Sequence, residues 1–178
     1  MINMKTALYI GRFQPFHLGH LSVVEKISKE YDQIVIAIGS AQECMTKRNP
    51  FSYVERWFMI EDTLKVKGIS NYRIIPVPDI RCPEKWADFT NAIFGDYDVV
   101  ITNDANTKIL FEKRGDKVEC VKPKQIEIDS GITEIHGTMI REMISKRDYR
   151  YTACVHAIVI EYLWKIKACD KLEEIWNG

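Results

Sequence analysis

Two short, continuous apolar runs restrict this chain more than anything else in it: Ala7-Leu8-Tyr9-Ile10 and Ile34-Val35-Ile36-Ala37-Ile38, each followed at once by a glycine, Gly11 and Gly39. Neither run alternates polar with apolar, which is the pattern of strands covered on both faces. Between them lies an amphipathic stretch from Leu18 to Lys29, with Leu21, Val24 and Ile27 on one side. A helix between two such strands is the usual parallel crossover, and it places a helical layer on the sheet.

The alternation continues along the chain. Ser52-Tyr53-Val54-Glu55 fits a capping box and opens a helix that carries Phe58, Met59 and Leu64 towards Gly68. Tyr72 to Val77 reads as a third strand closed by Pro76 and Pro78, and Pro83 suits the first turn of a helix running to about Phe94. Asp98 to Thr102 gives a fourth strand, Asn106 to Arg114 a helix stopped by Gly115, and Lys117 to Val121 a fifth strand. Helices follow at about Thr138 to Lys146, Val155 to Lys167 and, briefly, near Leu172. The expectation is an α/β chain: a Rossmann-like, doubly wound parallel sheet of about five strands, helices on both faces, and C-terminal helices. In such a sheet ligands bind outside the carboxyl ends of the strands, where the strand order reverses.

At 178 residues the chain fits one domain, with a core of about 5–146 and a helical extension of about 147–178. The linker-like stretch from Lys122 to Ser130 is too short to divide it. Lys+Arg and Asp+Glu both count 25, so there is no basic excess to favour nucleic acid or an anionic membrane, and any phosphate affinity must be local. The five cysteines are scattered, odd in number and form no CxxC pair, which supports neither a zinc site nor a disulfide framework. With no signal-peptide pattern at the apolar stretch Thr6 to Ile10 and no run long enough to span a bilayer, the expected location is cytoplasmic.

The most informative stretch is Gly11-Arg12-Phe13-Gln14-Pro15-Phe16-His17-Leu18-Gly19-His20, at the carboxyl end of the first strand and the start of the first helix. Histidines three residues apart on a helix can face one way. Free backbone N–H groups at a helix start favour an anion. Gly11 lets the chain pass close to a phosphate, and Gly19 keeps a side chain out of the space between the imidazoles. A polyphosphate would meet two imidazole donors, an arginine and a helix terminus together. Metal binding fits less well, because zinc-binding histidine pairs on helices sit four apart and no further Cys or His ligand is evident. A dinucleotide dehydrogenase is disfavoured because G-x-G-x-x-G follows none of the strands. Farther on, Thr138 and Arg141 stand one turn apart at a predicted helix start, so hydroxyl, guanidinium and helix terminus converge on one anion.

Gly11 to His20 resembles the signature of the HxGH nucleotidyltransferases. More narrowly, the chain resembles the archaeal-type nicotinamide mononucleotide (NMN) adenylyltransferases. The supporting stretches are Gly39-Ser40-Ala41-Gln42, Arg48-Asn49-Pro50-Phe51 with Glu55-Arg56, Ile75-Pro76-Val77-Pro78-Asp79-Ile80, Trp86, and Gly137-Thr138-Met139-Ile140-Arg141. The resemblance implies catalysis by Arg12, His17, His20, Arg48 and Arg141, with ATP also contacting Gly11, Phe13, Gly19, Gly137 and Thr138. It implies a pyridine nucleotide near Gly39, Ser40, Phe51, the backbone at Asp79-Ile80, and Trp86. An indole face suits a cationic pyridinium, although Trp86 can equally be core. Asp79 can bind a ribose hydroxyl or cap the next helix, and Lys47 is an alternative to Arg48 as the anion contact.

The implied reaction moves AMP from ATP to NMN, giving NAD and pyrophosphate, in a homo-oligomer. Mg²⁺ would be carried by the ATP phosphates and not by dedicated protein ligands. Three positions depart from the family pattern: His136 stands where Ser is usual, Pro83 where Asn is usual, and Asn103-Asp104-Ala105 where a Gly-Asn-Pro turn is usual. Ser130-Gly131 offers another register for the Gly137-Thr138 motif, but only the latter has an arginine three residues after the threonine. These departures leave the ATP side intact and bear on the acceptor, where the alternatives are nicotinate mononucleotide, phosphopantetheine, FMN or a CTP-dependent substrate; a non-catalytic nucleotide sensor is a further alternative, against which the intact HxGH counts.

Overall fold

The computed structural model describes residues 4–124 and 134–178. Five parallel strands form one sheet: β1 (Thr6–Gly11), β2 (Gln33–Ile38), β3 (Tyr72–Pro76), β4 (Val99–Ile101) and β5 (Val118–Glu119). Their order is β3-β2-β1-β4-β5. The chain builds outward from β1 to β3, then returns to the other side of β1 for β4 and β5. The order therefore reverses between β1 and β4, and a crevice opens there at the carboxyl ends. The helices are α1 (Leu18–Ile27), α2 (Tyr53–Val66), α3 (Trp86–Phe94), α4 (Ala105–Arg114), α5 (Gly137–Ser145), α6 (Ala157–Lys165) and α7 (Ala168–Asn177). None of the described helices is long and apolar enough to cross a membrane.

The apolar strands are sorted between two cores by the period of two along a strand. Ala7 and Tyr9 of β1, Ile34, Ile36 and Ile38 of β2, and Val99 and Ile101 of β4 enter the larger core. Leu8, Ile10, Val35, Ala37 and Val100 enter the smaller one. Val24 of α1, Ile60 of α2, Ile144 of α5, Leu163 of α6 and Leu172 of α7 complete the larger core. Ala87 and Phe94 of α3 and Phe111 of α4 complete the smaller. Burial on both faces is why these strands read as continuous apolar runs.

Several local expectations change. Pro83 opens a separate 3-10 turn, Pro83–Lys85, and α3 begins only at Trp86. The stretch before α6 folds into another 3-10 turn, Tyr149–Cys154, with Tyr151 and Cys154 buried. The helix near Leu172 is α7, which is ten residues long and buries Ala168 and Leu172 in the larger core. The strands β4 and β5 are shorter than their apolar runs, and Val121 is buried beyond the end of β5.

Candidate active site

The loop after β1 carries the histidines to the switch point. His17 caps α1 in an extended conformation. Its Nδ1 accepts the His20 backbone N–H at 3.3 Å, while His20 Nδ1 accepts the His17 backbone N–H at 3.3 Å. This reciprocal capping box uses imidazoles where hydroxyl and carboxylate are usual. It also decides the tautomer: with both Nδ1 atoms accepting, the proton of each neutral ring resides on Nε2. The rings stack with centroids 3.6 Å apart, and a Cβ added at Gly19 would lie 3.0 Å from His17 Nδ1. A side chain at 19 would therefore displace the ring.

Phe13 and Phe16 support the pair from below, with Phe16 stacked on His20 and Phe13 edge-on to it. His17 is only 7% exposed. Burial, aided by His136, pushes its pKa down to about 3, and burial with the His17 charge holds His20 well below the ordinary histidine value. Both are neutral Nε2–H donors at physiological pH.

Three arginines, Arg12, Arg48 and Arg141, lie near enough for their charges to act on one another. Arg12 is half-buried, its Nη1 has no partner among the described residues, and its pKa is lowered by burial and by Arg48. Arg141 is 6% exposed. Its Nε donates to Lys47 O (3.1 Å), Nη1 to Gln14 O (2.9 Å) and Nη2 to Thr138 Oγ1 (3.0 Å). All three acceptors are uncharged, and burial, with Arg12 adding, pushes the guanidinium down to about 10. Arg48 is exposed on the turn between β2 and α2, and its charge bears on both other arginines. The start of α5 is pressed against the histidine loop: a Cβ at Gly137 would lie 3.1 Å from Gln14 O. His136, the N-cap of α5, makes no side-chain cap bond. The Gly137-Thr138 register thus brings its arginine onto the loop that carries the histidines, whereas Ser130-Gly131 lies outside the described residues.

The residues expected around the pyridine nucleotide are placed unevenly. Gly39 and Ser40 continue β2 into the crevice, with Gly39 N–H bonded to Gly11 O at 2.9 Å and Ser40 at a positive φ of 47°. Trp86 is half-buried; its Nε1 donates to Pro78 O (3.1 Å) and its ring meets Phe111 edge-on, so it packs on the smaller core without sinking into it. Three expected contact residues, Phe51, Asp79 and Phe13, have part of their polar or ring surface already engaged or buried. The Phe51 ring is 0% exposed in the larger core and both polar groups of its peptide are occupied by Gln14, so it forms wall and not contact surface. The Asp79 N–H donates to Gln42 Oε1 at 3.0 Å and its carboxylate accepts from Gln42 Nε2, so this N–H is already engaged. Asp79 does not cap the next helical turn, whose N-cap is Cys82. Phe13 is likewise buried at the side chain, leaving only its peptide for a nucleotide.

The departures from the family pattern have local explanations. Asp104 caps α4 by accepting the Thr107 N–H at 2.8 Å, and Asn103 donates to Val121 O. His136 is exposed and pairs with Glu134 at 2.9 Å, and Pro83 is exposed.

Two residues that hold the site together carried no functional expectation. Gln14 is buried; its Nε2 donates to Phe51 O (2.7 Å) and its Oε1 accepts Phe51 N–H (3.0 Å), joining the histidine loop to the Arg48 turn. Arg56 is 0% exposed and donates to the carbonyls of Ser52, Arg12, Gly39 and Ser40, tying α2 to the ends of β1 and β2. A signal for Arg56 exists in the sequence: it falls on the same buried helical stripe as Met59, Ile60 and Thr63.

Comparison with known proteins identifies the family. The cytidylyltransferase-like family matches residues 8–143. A nicotinamide-nucleotide adenylyltransferase of Thermoplasma acidophilum is 44% identical over 172 residues, covering 96% of this chain and 92% of that protein. One from Methanococcus aeolicus is 41% identical over 146 residues, covering 82% and 81%. Among solved structures, a bifunctional NMN adenylyltransferase/ADP ribose pyrophosphatase from Francisella tularensis, complexed with AMP and a manganese ion, shares the fold. Its TM-score is 0.72 at 22% identity, over 97% of this chain and 52% of that one. With such identities across most of both sequences, the chain belongs to the nicotinamide-nucleotide adenylyltransferases, within the cytidylyltransferase-like family.

Proposed function

We propose that the crevice at the carboxyl ends of β1 and β4 transfers AMP from ATP to NMN, giving NAD and pyrophosphate. ATP phosphates lie against Arg12, His17, His20, Arg48, Thr138 and Arg141, with Gly11, Gly19 and Gly137 allowing close approach and the Phe13 peptide beneath. NMN lies over Gly39, Ser40, Ile80 and Trp86. A phosphate oxygen of NMN attacks the α-phosphorus, the bond from that phosphorus to the bridging oxygen of the β-phosphate breaks, and pyrophosphate leaves with the electron pair. The attacking phosphate is already ionised at neutral pH, so no protein nucleophile is required. The chain's residues align two anions and neutralise charge growing on the leaving group.

The observation that carries this reading is electrostatic. Two neutral Nε2–H imidazoles share their loop with Arg12, whose Nη1 has no partner among the described residues, and that loop is held by Arg141, a guanidinium whose acceptors among the described residues are all uncharged. That set suits a polyanion. Among the described residues no group of three His, Cys, Asp or Glu side chains is arranged to hold a metal ion. Mg²⁺ fits as a companion of the ATP phosphates, whose hard oxygens are its preferred ligands. When bound there it supplies further charge neutralisation. The family resemblance, and not the crevice, is what supports a homo-oligomer in the cytoplasm.

The test is an acceptor screen. Purified protein with ATP and Mg²⁺ is offered NMN, nicotinate mononucleotide, FMN or phosphopantetheine, and pyrophosphate is followed. Release that is fastest with NMN and accompanied by NAD is the expected outcome. Turnover with FMN or phosphopantetheine alone would reassign the acceptor, and no turnover with any acceptor would favour a nucleotide-binding role without catalysis.

A further inference from the structure

We infer that α7 braces the turn carrying Arg48, with Lys171 as a positioning residue for the ATP phosphates; this rests on the assignment of Arg48 to ATP. Arg48 lies on a turn closed by Met45 N–H to Pro50 O (3.4 Å), Thr46 N–H to Asn49 O (3.3 Å) and Asn49 N–H to Thr46 Oγ1 (2.9 Å). A turn so closed moves as a unit, and its aim is decided by what holds its base. The base is the Phe51-Ser52 pair, and Lys171 meets it in two ways. Its Nζ donates to Glu55 Oε1 at 2.7 Å and Oε2 at 2.9 Å, and Glu55 Oε2 accepts the Ser52 N–H at 2.6 Å. The same ammonium lies 5.6 Å from the Phe51 ring centroid.

The other end of the brace is α5, which carries Arg141. The helices α5 and α7 pack together, and Arg147, just past α5, bonds Asp170 (2.6 Å) and Glu173 (2.9 Å) of α7. Those Arg147 contacts are exposed at both partners and hold weakly. The Lys171–Glu55 pair is different: each side chain is 17% exposed, so loss of one partner strands the other in a poorly solvated place. Lys171 is thus the contact through which α7 acts on the base of the turn. The tip of the turn is also gripped by Arg141, through Lys47 O. The two arginine groups are therefore linked by α7 on the outside and by Arg141 on the inside.

The test is a double-mutant cycle on kcat/KM for ATP, with Lys171→Met, Arg48→Ala and both together, each assayed well below its own Tm. Arg48→Ala should lower kcat/KM by roughly 30-fold or more, the scale of one lost charged contact in the transition state. Lys171→Met should lower it about 10-fold, mainly through KM for ATP. The double variant should be no worse than Arg48→Ala, because Lys171 acts only through the turn. Lys171→Arg should recover most of the loss, and Glu55→Gln should reproduce it. If Lys171→Met does not fold, the cycle is run with Lys171→Met/Glu55→Gln, which removes both charges. Effects that multiply, or a lowered Tm with unchanged KM for ATP, would overturn the brace. An Arg48→Ala variant with full activity would instead overturn the assignment of Arg48.

Discussion

His17 does two jobs with two nitrogens: Nδ1 caps the helix and Nε2–H is left to donate. Asparagine is among the best N-cap residues, so His17→Asn keeps the cap and takes away the donor aimed from Nε2, its shorter amide N–H groups lying elsewhere. Turnover should fall by ~10²-fold or more with the fold intact, the scale for one aimed donor. Zinc should not restore it. A fully active variant would remove the histidine from catalysis. The same side chain predicts how stability depends on pH. Its folded pKa is lowered to about 3, while in the unfolded chain it titrates near 6.5. Below about pH 6.5 the unfolded chain takes up a proton that the folded chain refuses, so stability falls as pH drops through that window towards 3. Between pH 6.5 and 5 the wild type should lose ~2 kcal/mol that His17→Asn does not lose. Denaturant unfolding of both proteins at the two pH values checks this, and equal losses would mean that the imidazole is not held neutral. At this scale the sequence made the histidines legible because HxGH is local. It could not disclose that Gln14 spends its amide on Phe51, since that partner is 37 residues away.

Elements were readable where one stretch of chain decides them. The Ser52-Glu55 box caps α2, and Gly115, with φ of 96°, ends α4. They were less readable where a neighbour decides, as at the 3-10 turn Tyr149–Cys154, whose Tyr151 and Cys154 belong to the larger core. Arg56 shows what α2 does beyond packing. Arg56→Met would leave the carbonyls of Arg12, Gly39 and Ser40 without their donor in a buried place, at a cost of ~3–5 kcal/mol. At this chain length that is a fall in Tm of about 10 °C, readable by calorimetry; a shift of only a degree or two would show that water replaces the guanidinium. At the start of α3, Trp86→Ala should raise KM for NMN several-fold and leave KM for ATP nearly unchanged, since a stacked pyridinium is worth ~0.5–2 kcal/mol. If both constants rise together with a large loss of Tm, the indole is only supporting the smaller core.

For the molecule as a whole, the sheet was legible because each strand announces itself, but the site is an agreement among distant segments. The joint between Gln14 O and Arg141 Nη1 spans 127 positions of sequence. The chain leaves the ribosome from its N-terminus, so β1, α1 and β2, with both histidines, can be made and paired long before Arg141 exists. A nascent chain therefore holds an unfinished anion cradle through most of its synthesis, and Lys171 arrives later still. Affinity for the nucleotide should appear as a step near the end of translation, and not as a gradual gain with length. In the cell, ATP would act as a late folding ligand, drawing the last helices onto a sheet that is already formed.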